Sequence, residues 1–241
     1  MNLLAFDTST ETMALGVSAQ GRRRTALAPG GAAASATLLP RIEALLAQAG
    51  IALAALDAIA FGRGPGAFTG LRTSCAVAQG LGFGLVRPLV PIDSLLVVAE
   101  DARAQACGGA LRCDVAVAMD ARMDEAYAAR YRFDGSRWHM LEAPALRTAA
   151  ALEAAWRHAA PAVVAGSALA ALGARLHWPP GARRVEREHD RAAALLHLAE
   201  EAVARGEAMD AAAALPLYLR DKVALTSAER EAARAASGAA R

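Results

Sequence analysis

The chain has almost no lysine. Lys222 is the single lysine among 241 residues, and nearly all other basic residues are arginine. A Walker A phosphate loop needs a lysine directly after its last glycine, so that class of nucleotide site is excluded. The arginines are scattered along the sequence and the net charge is only +2, which argues against a nucleic-acid-binding stripe on this chain.

Cysteine and histidine are sparse and dispersed. The three cysteines, Cys75, Cys107 and Cys113, form neither a CxxC pair nor a disulfide framework, so we expect reduced thiols, with Cys75 buried in a helix, and a reducing compartment. The five histidines stand far apart without HExxH or HxxxH spacing, which excludes the usual sites of metal-dependent hydrolases. A GxSxG nucleophile elbow is absent as well.

Long apolar runs are also lacking, although hydrophobic residues make up 55% of the chain. This content is enough for a sizeable core, but no uninterrupted run reaches the ~20 residues of a membrane span. The first residues, MNLLAFDTST, have no basic segment before the apolar one, unlike a secretory signal. We therefore expect a compact globular protein of the cytoplasm.

The sequence does contain a glycine-rich stretch, residues 58–84. It begins with four apolar or small residues that predict a buried strand, continues through Gly64, Gly66 and Gly70, and then shows helical spacing, with Thr69 as the expected helix cap. Such a loop presents backbone N–H groups at a helix N-terminus, where an anion such as phosphate binds favourably. Equally, the glycines could serve positive φ angles and close packing of the helix on its strand.

Two predicted hairpins carry an aspartate where their first strand ends. FDTSTETMA places Asp7 and Thr8 at one tip, and MDARMDEAY places Asp120 at the other, with Glu11 and Asp124 in matching positions. Asp and hydroxyl residues form turns readily, and they are also residues that a phosphate or metal-bound phosphate would meet. The similarity suggests a duplicated half, and the alternation of strands and helices predicts an α/β architecture.

Capping residues locate further helices. Asp93 or Ser94, which follows a strand predicted to span residues 85–92, is expected to cap a helix reaching Cys107, and Thr148 is expected to cap one reaching His158. A glycine pair at 108–109 then marks the boundary between a first lobe, residues 1–107, and a second lobe, residues 108–224. Residues 225–241 are predicted to be a tail, either a frayed helix or disordered.

Two helices flank the glycine loop, at residues 39–49 and 69–83, the first with Pro40 in its opening turn. Both carry more apolar positions than one sheet-facing stripe needs. We expect the surplus to form a partner interface, unless packing of the lobes buries it. The candidate positions are Leu38, Leu39, Ile42, Leu45, Leu46, Val77 and Leu81.

Together these motifs resemble the bacterial TsaB family. The resemblance is carried by LAFDTSTETMALGVS, AIAFGRGPGAFTGLRTSCAVAQGLG, VAMDARMDEAYAARY and LPLYLR, in this order between residues 2 and 224. It implies an actin-like fold of two lobes, as in the sugar kinase, Hsp70 and actin superfamily. It also implies a role in forming the threonylcarbamoyl group at adenosine 37 of tRNAs that read codons beginning with A.

The resemblance further implies a non-catalytic partner of TsaD, a similar subunit that carries metal-binding histidines ahead of its own glycine loop. The stretch here, Gly30 to Pro40, reads GGAAASATLLP and offers none. In the family the two helices pack against their TsaD counterparts or pair two copies as a homodimer, and TsaE and tRNA are met through the complex. The chain would then have no cofactor or metal of its own, with ATP or ADP possible in the complex.

An active phosphotransferase or ATPase of the same superfamily is the alternative, with Asp7 and Asp120 handling a metal-bound phosphate. The residues that would contact phosphate or nucleotide are Asp7, Thr8, Gly64, Gly66, Thr69, Gly70 and Asp120. The second lobe offers only Gly166 and Ser167 where kinases usually show a double glycine. This difference, with the missing lysine, favours the partner subunit.

Overall fold

The structure is a computed structural model that describes residues 1–108 and 112–220. It contains two five-stranded sheets, one in each half of the chain. The first has the order β3-β2-β1-β4-β5 and consists of β1 (Leu3–Asp7), β2 (Thr12–Ala19), β3 (Arg22–Pro29), β4 (Ala58–Gly64) and β5 (Leu89–Asp93). The second has the order β10-β9-β6-β7-β8 and consists of β6 (Cys113–Asp120), β7 (Glu125–Phe133), β8 (Trp138–Thr148), β9 (Val163–Ala165) and β10 (Arg183–Val185).

The two sheets repeat one pattern of strand directions. In each, the first three strands form an antiparallel meander, and the next two lie parallel to the first. The predicted duplication and the actin-like, two-lobe α/β fold are therefore confirmed. The assignment of residues 1–107 and 108–224 to separate domains stays a prediction, although the sheets fall on either side of that boundary.

In the described residues, six α-helices cover the faces of these sheets: α1 (Ala34–Ala49), α2 (Phe68–Leu85), α3 (Ser94–Ala106), α4 (Ala149–His158), α5 (Ala168–Leu172) and α6 (Arg191–Ala204). Helices α1 and α2 pack on one face of the first sheet, and α6 packs on the other. Helix α3 packs on the second sheet, whose opposite face is covered by α4 and α5. Each half of the chain thus supplies one helix to the sheet of the other half, and α3 and α6 lie together between the lobes.

The central strand β1 shows why the first sheet needs helices on both faces. All five of its residues are buried. Leu4 and Phe6 point towards α1 and α2, whereas Leu3 and Ala5 point towards α6. A strand buried on both faces reads as a continuous apolar run, which is how it appears in the sequence.

Several predicted helix boundaries are wrong. Helix α1 begins at Ala34, because the alanines before Leu39 are good helix formers, and Pro40 therefore lies inside the helix instead of in its first turn. Helix α2 begins at Phe68 after Ala67 as N-cap, so Thr69 is not the cap. It also continues to Leu85, and the next strand starts only at Leu89.

The predicted partner positions are mostly internal. Leu38, Ile42, Leu45 and Leu46 are buried between α1 and the first sheet, because β2 and β3 extend that sheet beneath the helix. Val77 and Leu81 are partly buried against the same core. Only Leu39, at 46% exposure, has the accessibility that the prediction required.

The cysteine prediction is also wrong, because Cys107 and Cys113 form a disulfide. Helix α3 packs against β6. Cys107 directly after α3 and Cys113 at the start of β6 therefore have their Cα atoms 6.3 Å apart. The argument from unpaired thiols to a reducing compartment therefore fails, and the cytoplasmic location stays a prediction. Cys75 is buried and free, as expected.

No helix within the described ranges is long and apolar enough to cross a bilayer. Lys222, the tail at residues 225–241 and the second glycine of the predicted boundary lie outside the described residues.

Candidate functional site

A cavity of about 390 Å³ lies between the two lobes. Its walls come from the tips of the β1–β2 and β6–β7 hairpins, the loop between β4 and α2, the first turn of α3, and residues 217–220. The actin-like topology brings these strand ends to one place. Of the predicted site residues, Gly66 and Asp120 line the cavity.

Asp7 lies behind the cavity wall, next to the lining residues Ser9 and Arg191, and is fully buried. Its Oδ2 accepts a hydrogen bond from Nη2 of Arg191 at 2.8 Å, and its Oδ1 accepts one from the backbone N–H of Ser9 at 2.6 Å. Burial by itself would raise the pKa of Asp7, but the Arg191 guanidinium and the Ser9 hydrogen bonds outweigh it and lower that pKa. Asp7 is therefore an ionised, internally paired carboxylate.

Arg191 joins two carboxylates from different parts of the chain. Its Nη2 also donates to Ser9 Oγ at 3.0 Å, and its Nη1 donates to Glu188 Oε1 at 2.5 Å. Burial raises the pKa of Glu188 despite this neighbouring guanidinium. The arrangement is an Asp7–Arg191–Glu188 triad in which one buried cation is shared by the buried Asp7 and the partly buried Glu188.

The glycine loop packs on the first hairpin tip. A Cβ at Gly70 would overlap the carbonyl oxygen of Thr8, and one at Gly66 would overlap that of Ser9. Thr8 Oγ1 donates to the carbonyl of Gly70 at 2.6 Å, and the N–H of Ala67 donates to the carbonyl of Ser9 at 2.8 Å. These contacts support the packing interpretation of the loop. A phosphate role for it stays a prediction.

Gly64 and Thr69 were predicted to contact phosphate or nucleotide, but both lie outside the cavity lining. Gly64 has φ of +105°, a conformation that L side chains rarely adopt, and its N–H donates to Ser94 Oγ at 3.1 Å. Thr69 lies in the first turn of α2 with an exposed side chain.

Asp120, the counterpart of Asp7, lies at the cavity wall and is partly exposed. Its N–H donates to Ser167 Oγ at 3.0 Å, and its Oδ1 accepts from the N–H of Arg122 at 2.9 Å. A long contact of 3.7 Å between the exposed side chains of Arg122 and Glu11 links the two hairpin tips and contributes little in water. The two aspartates are therefore not equivalent.

Neither Arg191 nor Glu188 was predicted from the sequence to belong to the site. An arginine after the capping Asp190 resembles an ordinary surface residue at a helix start, and its partner Asp7 is 184 positions away. In the described ranges, no group of three or more His, Cys, Asp or Glu side chains is arranged to hold a metal ion. The Asp7 carboxylate is already paired with the Arg191 guanidinium.

Comparisons with known proteins agree with the sequence motifs. The chain matches the family model of TsaD, tRNA N6-adenosine threonylcarbamoyltransferase, over residues 30–228. It is 38% identical over 131 residues to the tRNA threonylcarbamoyladenosine biosynthesis protein TsaB of Haemophilus influenzae, and 35% identical over 147 residues to that of Escherichia coli. These alignments cover 53% and 61% of this chain, and the chain spans only 52% and 62% of the two relatives.

Solved structures extend the match to nearly the whole chain. YeaZ from Pseudomonas aeruginosa is 38% identical, with a TM-score of 0.79 over 90% of this chain and 99% of that one. A second structure from that organism, an uncharacterized protein with similarity to peptidase YEAZ, is 39% identical with a TM-score of 0.80, over 91% of this chain and 99% of its own. The chain therefore belongs to the TsaD family and, within it, to the TsaB (YeaZ) branch of tRNA threonylcarbamoyladenosine biosynthesis proteins.

Proposed function

We propose that this chain is a non-catalytic partner subunit that binds TsaD and supports threonylcarbamoylation of adenosine 37 in tRNAs reading codons that begin with A. Its family membership supports the pathway. The observation that carries the non-catalytic role is the buried ion pair between Asp7 and Arg191.

Phosphoryl transfer depends on positive charge that neutralises the transferred phosphate, usually from bound metal ions. Here the cation beside Asp7 belongs to the protein, and it is shared with Glu188. A phosphate entering this position would meet two carboxylates whose one counterion is already engaged. We therefore assign no cofactor to this chain and leave ATP or ADP to the complex.

The partner surface fits the outward faces of α1 and α2 better than the buried positions named from sequence. Leu39 is 46% exposed on α1, and Phe83 is 59% exposed near the end of α2. Between them in sequence, Ala76 and Gly80 are exposed, and a Cβ at Gly80 would meet only open space among the described residues. Small residues flanked by large apolar ones allow close approach of partner helices.

The test is co-purification with TsaD. Phe83→Arg and Leu39→Glu should abolish binding, because a charge would be desolvated at the interface. Met140→Glu is the matched control, since Met140 is a similarly exposed apolar residue, at 50%, on β8 of the other lobe. Retained binding by both helix variants, with unchanged circular dichroism, would place the TsaD interface elsewhere.

The same face would pair two copies when TsaD is absent, while TsaE and tRNA would be met by the assembled complex. The alternative, an active phosphotransferase or ATPase, is tested with the isolated chain. We expect no ATP turnover, since Asp7 is occupied by Arg191. Turnover that disappears in Asp7→Asn would refute the proposal and establish the alternative.

A further inference from the structure

Residues 214–220, which we name the strap, run along the inter-lobe cavity from the first lobe to the second. At one end the strap is fastened to the first lobe: the N–H of Leu217 donates to the carbonyl of Arg63 in β4 at 2.7 Å, and Gln79 Nε2 of α2 donates to the carbonyl of Ala214 at 3.0 Å. Residues 217–220 form one wall of the cavity.

The middle of the strap rests on α2. The ring of Tyr218 lies 5.3 Å from that of Phe68, and Arg72 Nε donates to Tyr218 Oη at 3.1 Å. The Arg72 guanidinium also stacks over the Phe68 ring, with 3.9 Å to the centroid. This stack of an arginine and two aromatic rings fixes the direction in which the chain leaves the first lobe.

At its far end the strap is joined to the second lobe by the Arg220 side chain. Nη2 of Arg220 donates to Glu125 Oε2 at 2.7 Å and to the carbonyls of Ala121 and Arg122 at 3.2 and 3.5 Å. The pair with Glu125 is largely shielded from water. One guanidinium thus joins the strap to the turn between β6 and β7.

That turn has an unusual backbone. Arg122, Met123 and Asp124 have φ of +63°, +56° and +61°, so three consecutive residues other than glycine adopt the left-handed conformation. Each is unfavourable for an L side chain, and such strain persists where surrounding contacts over-determine it. Arg220 holds the carbonyls at the start of this run. The turn carries other ion pairs, but Asp124 and Arg175 are both exposed, and Arg122 is exposed in its longer contacts with Asp120 and Glu11. Exposed pairs of this kind contribute little.

The equivalent turn of the first lobe is supported differently. Its tip is packed within the same lobe by the glycine loop, through Ala67 and Gly70. In the second lobe, Gly166 and Ser167 follow β9 as the glycine loop follows β4. Gly166 packs against the carbonyl of Ala118, and Ser167 Oγ accepts from the N–H of Asp120, so these contacts lie before the strained residues. The second tip therefore takes part of its support from a segment anchored in the other lobe.

We infer that the strap is an inter-lobe latch: Arg220 holds the strained β6–β7 turn and the strap in one cooperative unit, and its release frees both and opens the cavity. The inference does not depend on the proposed function. It requires the turn and the strap to respond together, although 90 or more residues separate Ala121 and Glu125 from Arg220.

Hydrogen exchange of the full chain tests this coupling. In Arg220→Ala, the hydrogen-bonded amides of Ala121, Arg122 and Glu125 in the turn, and that of Leu217 in the strap, should exchange about tenfold to hundredfold faster, because hydrogen bonds to a charged group are lost. Central amides of β1 and β4 should be unchanged. Arg205→Ala is the control, since Arg205 pairs with Glu207 and Glu201 at the end of α6, and it should alter neither segment.

Two outcomes would overturn the latch. One is faster exchange in the strap with an unchanged β6–β7 turn, and the other is no change in either segment. Glu125→Gln provides a second variant if Arg220→Ala fails to fold: it keeps a hydrogen-bond acceptor but removes the charge, so a smaller acceleration in both segments is expected. An acceleration in only one of them would equally refute the coupling.

Discussion

Replacing Arg191 by methionine would test the Asp7–Arg191–Glu188 triad most directly. The variant keeps most of the side-chain volume but leaves Asp7, which is fully buried, without its counterion. Removing one partner of a buried ion pair costs about 3 to 5 kcal/mol, against a total stability of about 5 to 15 kcal/mol. For a chain of this size the melting temperature should fall by about 6 to 20 °C.

The double variant Asp7→Asn with Arg191→Met should recover most of this loss. It removes the uncompensated charge, so the pair becomes a neutral amide beside an apolar side chain. Glu188 keeps some solvent access and a raised pKa, so it can take up a proton. A double-mutant cycle on urea midpoints would measure the coupling. A double variant as unstable as Arg191→Met would refute the argument from buried charge.

The pH dependence gives an independent check. Because the pKa of Asp7 is lowered in the folded protein, its stabilisation is present above the unfolded pKa of about 3.9 and is lost as the pH falls through the folded value. Without Arg191, burial would instead raise the pKa of Asp7. The deficit of Arg191→Met should therefore shrink between pH 7 and pH 4. A deficit that stays constant over this range would contradict the assigned charge state.

Two further predictions concern packing and the disulfide. Gly70→Ala should destabilise the fold by about 3 kcal/mol or more, because the added methyl overlaps the Thr8 carbonyl. Gly80→Ala, on the open face of α2, should stabilise the fold by about 0.5 to 1 kcal/mol. Equal melting temperatures of the two variants would contradict this packing argument. Cys107→Ser should cost about 2 kcal/mol and abolish the effect of dithiothreitol on melting. An unaffected wild type under reductant would mean that Cys107 and Cys113 are not bonded.

Local sequence patterns determined most of the secondary structure and the duplication. Asp93 and Thr148 accept hydrogen bonds from backbone N–H groups at the starts of α3 and α4, as predicted, since a cap depends only on residues within one turn. Likewise Gly50 ends α1 in the left-handed conformation. The similarity of the two hairpin segments predicted the duplication because each hairpin is built from consecutive residues, and the two sheets share one strand order.

Only the tertiary structure decided what these elements contact. The surplus apolar residues of α1 became core because β3 extends the sheet under the helix, and Asp7 became a buried carboxylate because α6, supplied by the other half of the chain, brings Arg191 to it. The disulfide depends in the same way on the packing of α3 against β6. The spacing of apolar residues and helix capping depend on residues within a few positions of one another. The Asp7–Arg191 pair and the disulfide instead join segments that only the folding of the whole chain brings together.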